Sequence, residues 1–217
     1  MNKAQQNYGN YLKTMITILG WIAVLLQLYL IILNRTTNLP ETIARFFSFF
    51  TIETNILVAV CFTFLCIKPY TKFAQFFQKS ENITAITLYI LIVGIVYNLI
   101  LRFLWAPTGY QKIADELLHT FIPILVLVYW WFFAQKSSLQ YKHIISWLIF
   151  PTLFLFYTLI RGYFVAYYPY PFLDVTALGI STVLKNSFFM VLAFLLFGLI
   201  LIFAGKNKKK PYEIKEQ

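Results

Sequence analysis

Hydroxyl, imidazole and carboxylate side chains recur in stretches of this chain that are otherwise apolar enough to cross a membrane. In FFSFFTIETN (46–55), Ser48, Thr51 and Asn55 stand at i, i+3 and i+7, one stripe of a helix, with Thr54 at its border. In DELLHTFIP (115–123), Asp115 and Glu116 precede His119 by four and three residues, so either carboxylate can reach the imidazole along a helix. A hydroxyl, an imidazole and a carboxylate in one pocket perform nucleophilic catalysis. The imidazole takes the hydroxyl proton, and the carboxylate orients the imidazole and holds the imidazolium. Lys185, Arg102, Asn55 or Asn98 could stabilise the oxyanion that follows.

Glu53 lies about half a turn away from Thr51 and Asn55 and faces a different neighbour, with Lys185 or an arginine as the expected partner. An ionisable group in hydrocarbon costs at least ~2.5–3.5 kcal/mol on insertion scales, so Glu53 and Lys185 are either paired or used. Plainer roles stand beside these. Membrane Ser and Thr bond to backbone or to a neighbouring helix. A membrane histidine also serves as a buried hydrogen-bonding group. Arg102 and Arg161, near helix ends, can reach back to the interface. Asp115 and Glu116 suit the positive N-terminal end of a helix. Pro123 is expected to bend its helix and release the His119 carbonyl for a side chain or water.

These residues must be positioned by membrane helices. Of the 217 residues 60% are hydrophobic and only 12% charged, against about 25% charged in soluble domains. Six runs reach the roughly 20 apolar residues needed to span: 14–33, 47–67, 83–103, 116–134, 144–164 and 176–204. The sequence therefore predicts an all-α polytopic membrane protein, a six-transmembrane-helix bundle (14–204) between an N-terminal segment (1–13) and a polybasic tail (205–217). Lys3, Lys13, Lys68, Lys72, Lys79, Lys136, Lys142 and the tail lysines fall on one side. Arg35, Arg45, Arg102, Lys112 and Arg161 fall on the other. Both termini are thus expected in the cytoplasm and the protein in the cell membrane. The tail KNKKKP is expected near anionic lipid headgroups. The net charge of +10 reflects this asymmetry and not nucleic-acid binding. Cys61 and Cys66, within one apolar run, imply neither a disulfide framework nor a metal site, and no cofactor is implied. In this topology Ser48, Thr51, Glu53, Asn55, Asn98, Arg102, Asp115, Glu116, His119, Arg161, Lys185 and Asn186 share one layer at the end of the bundle away from the termini.

The segments FFSFFTIETN (46–55), DELLHTFIPILVL (115–127), YPYPFLD (168–174) and STVLKN (181–186) resemble the androgen-induced membrane hydrolase family and its bacterial relatives. YPYPFLD is the most specific of these, followed by the helix-4 histidine with proline four residues on. The resemblance covers spans two to six in order. It implies a six-span hydrolase of fatty acid esters of hydroxy fatty acids, with a membrane threonine nucleophile and a histidine. Aligned on the helix-2 aromatics, the threonine falls on Ser48 and the histidine on His119; a shift of one turn puts Thr51 in the role. Glu53 and Lys185 are outside that pair. The expected activity is lipid-ester hydrolysis in an outward-facing pocket, with membrane lipid as surroundings and a lipid ester as substrate. A small-molecule transporter or ligand-binding membrane protein, and a scaffold whose polar cluster only fixes helix register, are the alternatives.

Overall fold

A computed structural model describes residues 3–67 and 69–207. Lys68 and the tail lysines from Lys208 onward lie outside the described residues. In chain order the helices are α1 (Lys3–Leu33), α2 (Leu39–Phe46), α3 (Phe50–Ile67), α4 (Lys72–Gln78), α5 (Ser80–Leu99), α6 (Gly109–Glu116), α7 (Ile122–Phe132), α8 (His143–Trp147), α9 (Ile149–Val165), α10 (Val175–Leu178) and α11 (Ile180–Asn207). A 3-10 turn, Leu101–Phe103, extends α5, and a π-turn, Leu117–Phe121, joins α6 to α7. Among the described residues there is no strand. Six stretches are long and apolar enough to cross a membrane: α1, α3, α5 with its 3-10 turn, α6–α7, α8–α9 and α11.

The six-helix all-α reading holds, with shifted boundaries. The first span begins at Lys3, so most of the segment read as a polar lead is helical. The second span begins at Phe50, because α2 ends at Phe46 and residues 47–49 turn the chain. Asn38 caps α2 through its side chain, and Pro40 opens it, where a missing N–H costs nothing. The last span begins at Ile180, after the separate turn of helix α10.

Helices α3 and α5 sit at the centre. In their most apolar windows 56% and 67% of residues are buried, against 28%, 22% and 28% for α1, α8–α9 and α11, whose remaining faces are apolar and outward. Val58 and Phe62 of α3, Ile90 of α5 and Ile122 and Val126 of α7 are all fully enclosed, and the threonines buried among them on α5, Thr84 and Thr87, bond to Trp130 and to the Ile83 carbonyl. At the end of the bundle away from the termini the chain is less regular. There the 34–49, 100–108 and 166–179 connections meet, and the reactive side chains converge.

Candidate functional site

The site is organised around the π-turn. Pro123 has no N–H, so the His119 carbonyl loses its helical donor. The Ile122 N–H bonds to the Leu117 carbonyl, one residue further back than in an α-helix. The Leu118 and His119 carbonyls are thereby released, and two asparagines take them. Asn55 Nδ2 donates to Leu118 O (3.3 Å) and to Thr51 O (2.8 Å). Asn98 Nδ2 donates to His119 O (3.1 Å) and to Gly94 O (2.8 Å). Helix α5 approaches the turn so closely at Gly94 that a Cβ there would stand 3.1 Å from His119 O and 3.0 Å from the Pro123 ring. The release of the His119 carbonyl, expected from Pro123, is what the structure shows. Both asparagines spend their two N–H donors on backbone carbonyls, so they hold the turn and have none left for an oxyanion.

Asp115 and Glu116 go separate ways. Glu116 takes a bidentate pair from Arg102, Nη1 to Oε1 at 2.6 Å and Nη2 to Oε2 at 2.8 Å. Arg102 also donates to Thr120 Oγ1 (3.0 Å) and through Nε to Asn98 Oδ1 (2.9 Å). This guanidinium clamps the third span to the fourth; it neither reaches alone to the interface nor stands ready for an oxyanion. Asp115, only 3% exposed, turns instead to His119: Oδ1 lies 3.2 Å from Nδ1. Asp115 Oδ2 accepts the Tyr97 hydroxyl, and the Tyr97 ring stacks on the imidazole with centroids 4.0 Å apart. The Asp115 backbone carbonyl also lies 2.9 Å from Nδ1. Two acceptors at Nδ1 place the N–H there and leave Nε2 as the proton acceptor. Of the two carboxylates within reach, Asp115 is the one that orients the histidine.

The two candidate hydroxyls separate as clearly. Ser48 lies in the turn before α3, not on the helix, so the stripe contains only Thr51 and Asn55. Its Oγ donates to Ala44 O (2.7 Å) and meets the Tyr157 hydroxyl (3.0 Å). Ser48 is fully enclosed and borders neither of the two cavities at Thr51. Thr51 borders two. One is a cavity of about 310 Å³ that also receives Tyr97, Asp115, His119, Gln27 and Gln111. The other is an apolar cleft of about 100 Å³ between Phe50, Val96, Phe154, Met190 and Phe194. Thr51, Leu101 and Tyr170 belong to both and form the partition.

Tyr170 is fixed from several sides. Its hydroxyl accepts the Thr51 N–H (3.2 Å) and lies 3.4 Å from Thr51 Oγ1. Phe49 and Phe154 meet its ring edge-on, and Phe172 stacks on it. The connection carrying it is anchored by Asn186 Nδ2, which donates to Phe172 O (2.9 Å). Tyr168 packs on Gly162 where any Cβ would overlap its ring. Burial pushes the Tyr170 phenol up to about 12, so it keeps its proton at neutral pH.

Glu53 and Lys185 are not brought together. Glu53 is half-buried in the first turn of α3 and forms no ion pair among the described residues, while Lys185 lies on an exposed face of α11 beside Phe188 and Phe189. Their similar depth was legible in the sequence; their azimuths were not. Arg161 pairs with Glu41 (2.6 Å), which also takes Arg45 (2.8 Å), with both guanidiniums over the Tyr167 ring. This outer clamp replaces the expected interfacial role of Arg161. The Arg45 and Arg161 guanidiniums hold the Glu41 carboxyl below its usual range. Asn186 holds the 166–179 connection through Phe172 O and borders neither cavity at Thr51.

Tyr97, Gln111 and Tyr170 were not singled out by sequence. Gln111 is four residues before Asp115 on the same helix face, a spacing that could have found it. Tyr170 sits inside YPYPFLD. Tyr97 carries no spacing signal toward Asp115. A scan against family models and comparisons with curated proteins and with solved structures give no match.

Proposed function

We propose that this multi-pass membrane protein hydrolyses lipid esters, with Thr51 as nucleophile and His119 as base and then acid. The observation that carries the reading is the position of Thr51. Thr51 stands in the wall between an apolar cleft that suits the first methylenes of an acyl chain and a larger cavity whose mostly apolar lining carries the oriented Asp115–His119 pair. An ester seated across that wall presents its carbonyl carbon to Thr51 Oγ1. Attack transfers the hydroxyl proton to His119 Nε2, and Asp115 holds the imidazolium. The ester C–O bond then breaks and the alcohol leaves with that proton. Water, giving a proton to His119, attacks the acyl–Thr51 ester; the Oγ1–acyl bond breaks, Thr51 takes that proton back from His119, and the acid is freed. The Tyr170 hydroxyl is the remaining oxyanion donor. It already accepts from the Thr51 N–H, so its own proton points elsewhere, and 3.4 Å from Oγ1 puts it within reach of a second oxygen on the same carbon.

The resemblance of 46–55, 115–127 and 168–174 to androgen-induced membrane hydrolases supports the same reading, with the role one turn further along at Thr51 and not at Ser48. The lysine asymmetry supports a cell-membrane location with cytoplasmic termini and a pocket open toward the outer leaflet. Transport is less well supported, because Val58, Phe62, Ile122 and Val126 fully enclose the middle of the bundle.

The test is turnover of medium-chain esters by purified protein in nanodiscs. Thr51→Ala and His119→Ala each abolish turnover, and Ser48→Ala retains it. Activity surviving in the Thr51 and His119 variants overturns the mechanism.

A further inference from the structure

At the end of the bundle that carries the termini, opposite Thr51 and His119, the helices form a cavity of about 490 Å³. Four polar side chains that border it, Gln6, Asn10, Lys13 and Gln135, have no partner among the described residues. Gln78 also borders it but is engaged, its Nε2 donating to Pro69 O (3.2 Å). The lining contains no carboxylate among the described residues, so the Lys13 ammonium is its one charge.

The direction of these side chains follows from α1. Gln6, Gly9, Asn10 and Lys13 stand at i, i+3, i+4 and i+7, one stripe of the helix. Gly9, inside that stripe, is buried against the end of α7, where a Cβ would stand 3.0 Å from Phe133 Cδ1. That contact turns the whole stripe toward the space between α1, α4 and the end of α7, which Gln135 also borders. Lys13 is half-buried and lies about 10 Å deeper along the axis than Gln6, at 1.5 Å per residue. Leu65, Phe77 and Ile83, all buried, supply apolar lining. A half-buried ammonium with no carboxylate beside it favours an anion.

The bordering helix says where that anion comes from. Phe77 belongs to α4, whose Phe73 and Phe76 are exposed, as is Tyr70 just before it, and Lys72 and Lys79 flank the same helix. Outward aromatics between lysines, at the end of a membrane bundle, are the composition of a segment lying at headgroup depth. An anion beside such a segment comes from the headgroup layer, where the anionic group is a phosphodiester.

We infer that this cavity seats the phosphate headgroup of an anionic phospholipid, from the leaflet at the lysine-bearing end, with Lys13 as its counter-charge. The ammonium pairs with one phosphate oxygen, and the Asn10 and Gln135 amide N–H groups donate to the others. The apolar lining meets the glycerol and the first methylenes. No step of the ester chemistry depends on this site.

The test is binding of dimyristoyl phosphatidylglycerol and dimyristoyl phosphatidylcholine to the purified full chain in detergent, read as bound-lipid fractions by native mass spectrometry. The anionic lipid is expected to bind about tenfold more tightly than the zwitterionic one, whose chains are identical. Lys13→Gln is expected to abolish that preference, Lys13→Arg to keep it, and Asn10→Leu and Gln135→Leu each to lower it about threefold. The double variant Lys72→Gln/Lys79→Gln, outside the lining, is expected to keep it. Unfolding midpoints in lipid-free detergent report folding. Should Lys13→Gln fail to fold, the two leucine variants decide. Equal binding of the two lipids overturns the inference, as does a preference that survives Lys13→Gln or both leucine variants. A preference lost equally in the Lys72/Lys79 variant also overturns it, because surface charge alone then accounts for it. Displacement of the lipid by millimolar inorganic phosphate assigns the site to free phosphate and overturns the lipid assignment.

Discussion

Asp115 and Glu116 are neighbours in sequence and opposites in chemistry. Around Glu116 the bonding is saturated: Arg102 gives it two hydrogen bonds, and the rest of the guanidinium is spent on Asn98 and Thr120. Around Asp115 the bonding is incomplete by two atoms. His119 and Thr51 both border the same cavity, and neither His119 Nε2 nor Thr51 Oγ1 is locked into a backbone bond. The saturated cluster holds helices together; the incomplete one keeps reactive atoms available. One helical turn contains both, and a residue's type does not decide which it joins. The same contrast separates Ser48, held by the Ala44 carbonyl and Tyr157, from Thr51 at the partition.

The contrast breaks first at the incomplete pair. Thr51→Ala or His119→Ala is expected to lower ester turnover at least about a thousandfold with little change in thermal midpoint. Ser48→Ala should stay within a few-fold of wild type, and a large loss there would move the nucleophile back to the turn before α3. Tyr170→Phe comes next, with kcat down roughly 10²–10³-fold and KM nearly constant, as for loss of one oxyanion donor. A thionoester substrate sharpens this test. The wild-type preference for the oxygen ester should shrink in the variant, which loss of a purely structural contact would not cause.

At the saturated cluster the expected ordering reverses. Arg102→Met leaves Glu116 without its bidentate partner and should destabilise the protein by about 1–3 kcal/mol, read as a lower unfolding midpoint in detergent, with activity falling only as the fold does. A full loss of turnover in a well-folded Arg102 variant would mean that the clamp belongs to the chemistry. The smallest effect is at the outer clamp. Glu41 has a carboxyl held below its ordinary value by Arg45 and Arg161, so its contribution is complete above the unfolded pKa of about 4.3 and is lost as pH falls through the lower folded value. The unfolding midpoint should drop on acidification below about pH 4, and Glu41→Gln should flatten that drop.

Much of this was legible in the sequence, and what escaped has a physical cause. Six apolar runs identified the spans because length and hydropathy alone set them. The reach from Asp115 to His119 and the carbonyl released by Pro123 were legible because both are local along one helix. The choice between Asp115 and Glu116 was not, since it depends on where Arg102 arrives from another span. The assignment of Ser48 to a helical stripe failed because residues 47–49 break the helix between apolar residues that carry no Gly or Pro to mark it. Glu53 and Lys185 share a depth, which sequence gives, but not an azimuth, which helix packing gives. Tyr170 comes from a connection folded back into the bundle, and no periodicity reaches across such a loop.

The π-turn at Leu117–Phe121 also sets the phase between two halves of one span. Below it, Ile122, Val126 and Trp130 keep an unbroken four-residue rhythm into the core. Above it, Gln111 and Asp115 keep a rhythm of their own toward the cavity, which His119 continues into the turn itself. An α-helix advances about 100° per residue, so the extra residue in the turn offsets one rhythm from the other by about that angle. Deleting a single residue there would remove the offset and swing the upper half out of alignment, while the lower half kept its packing and Pro123 still left one carbonyl without a helical donor. The span thus behaves as two gears on one shaft, and the turn fixes how they mesh.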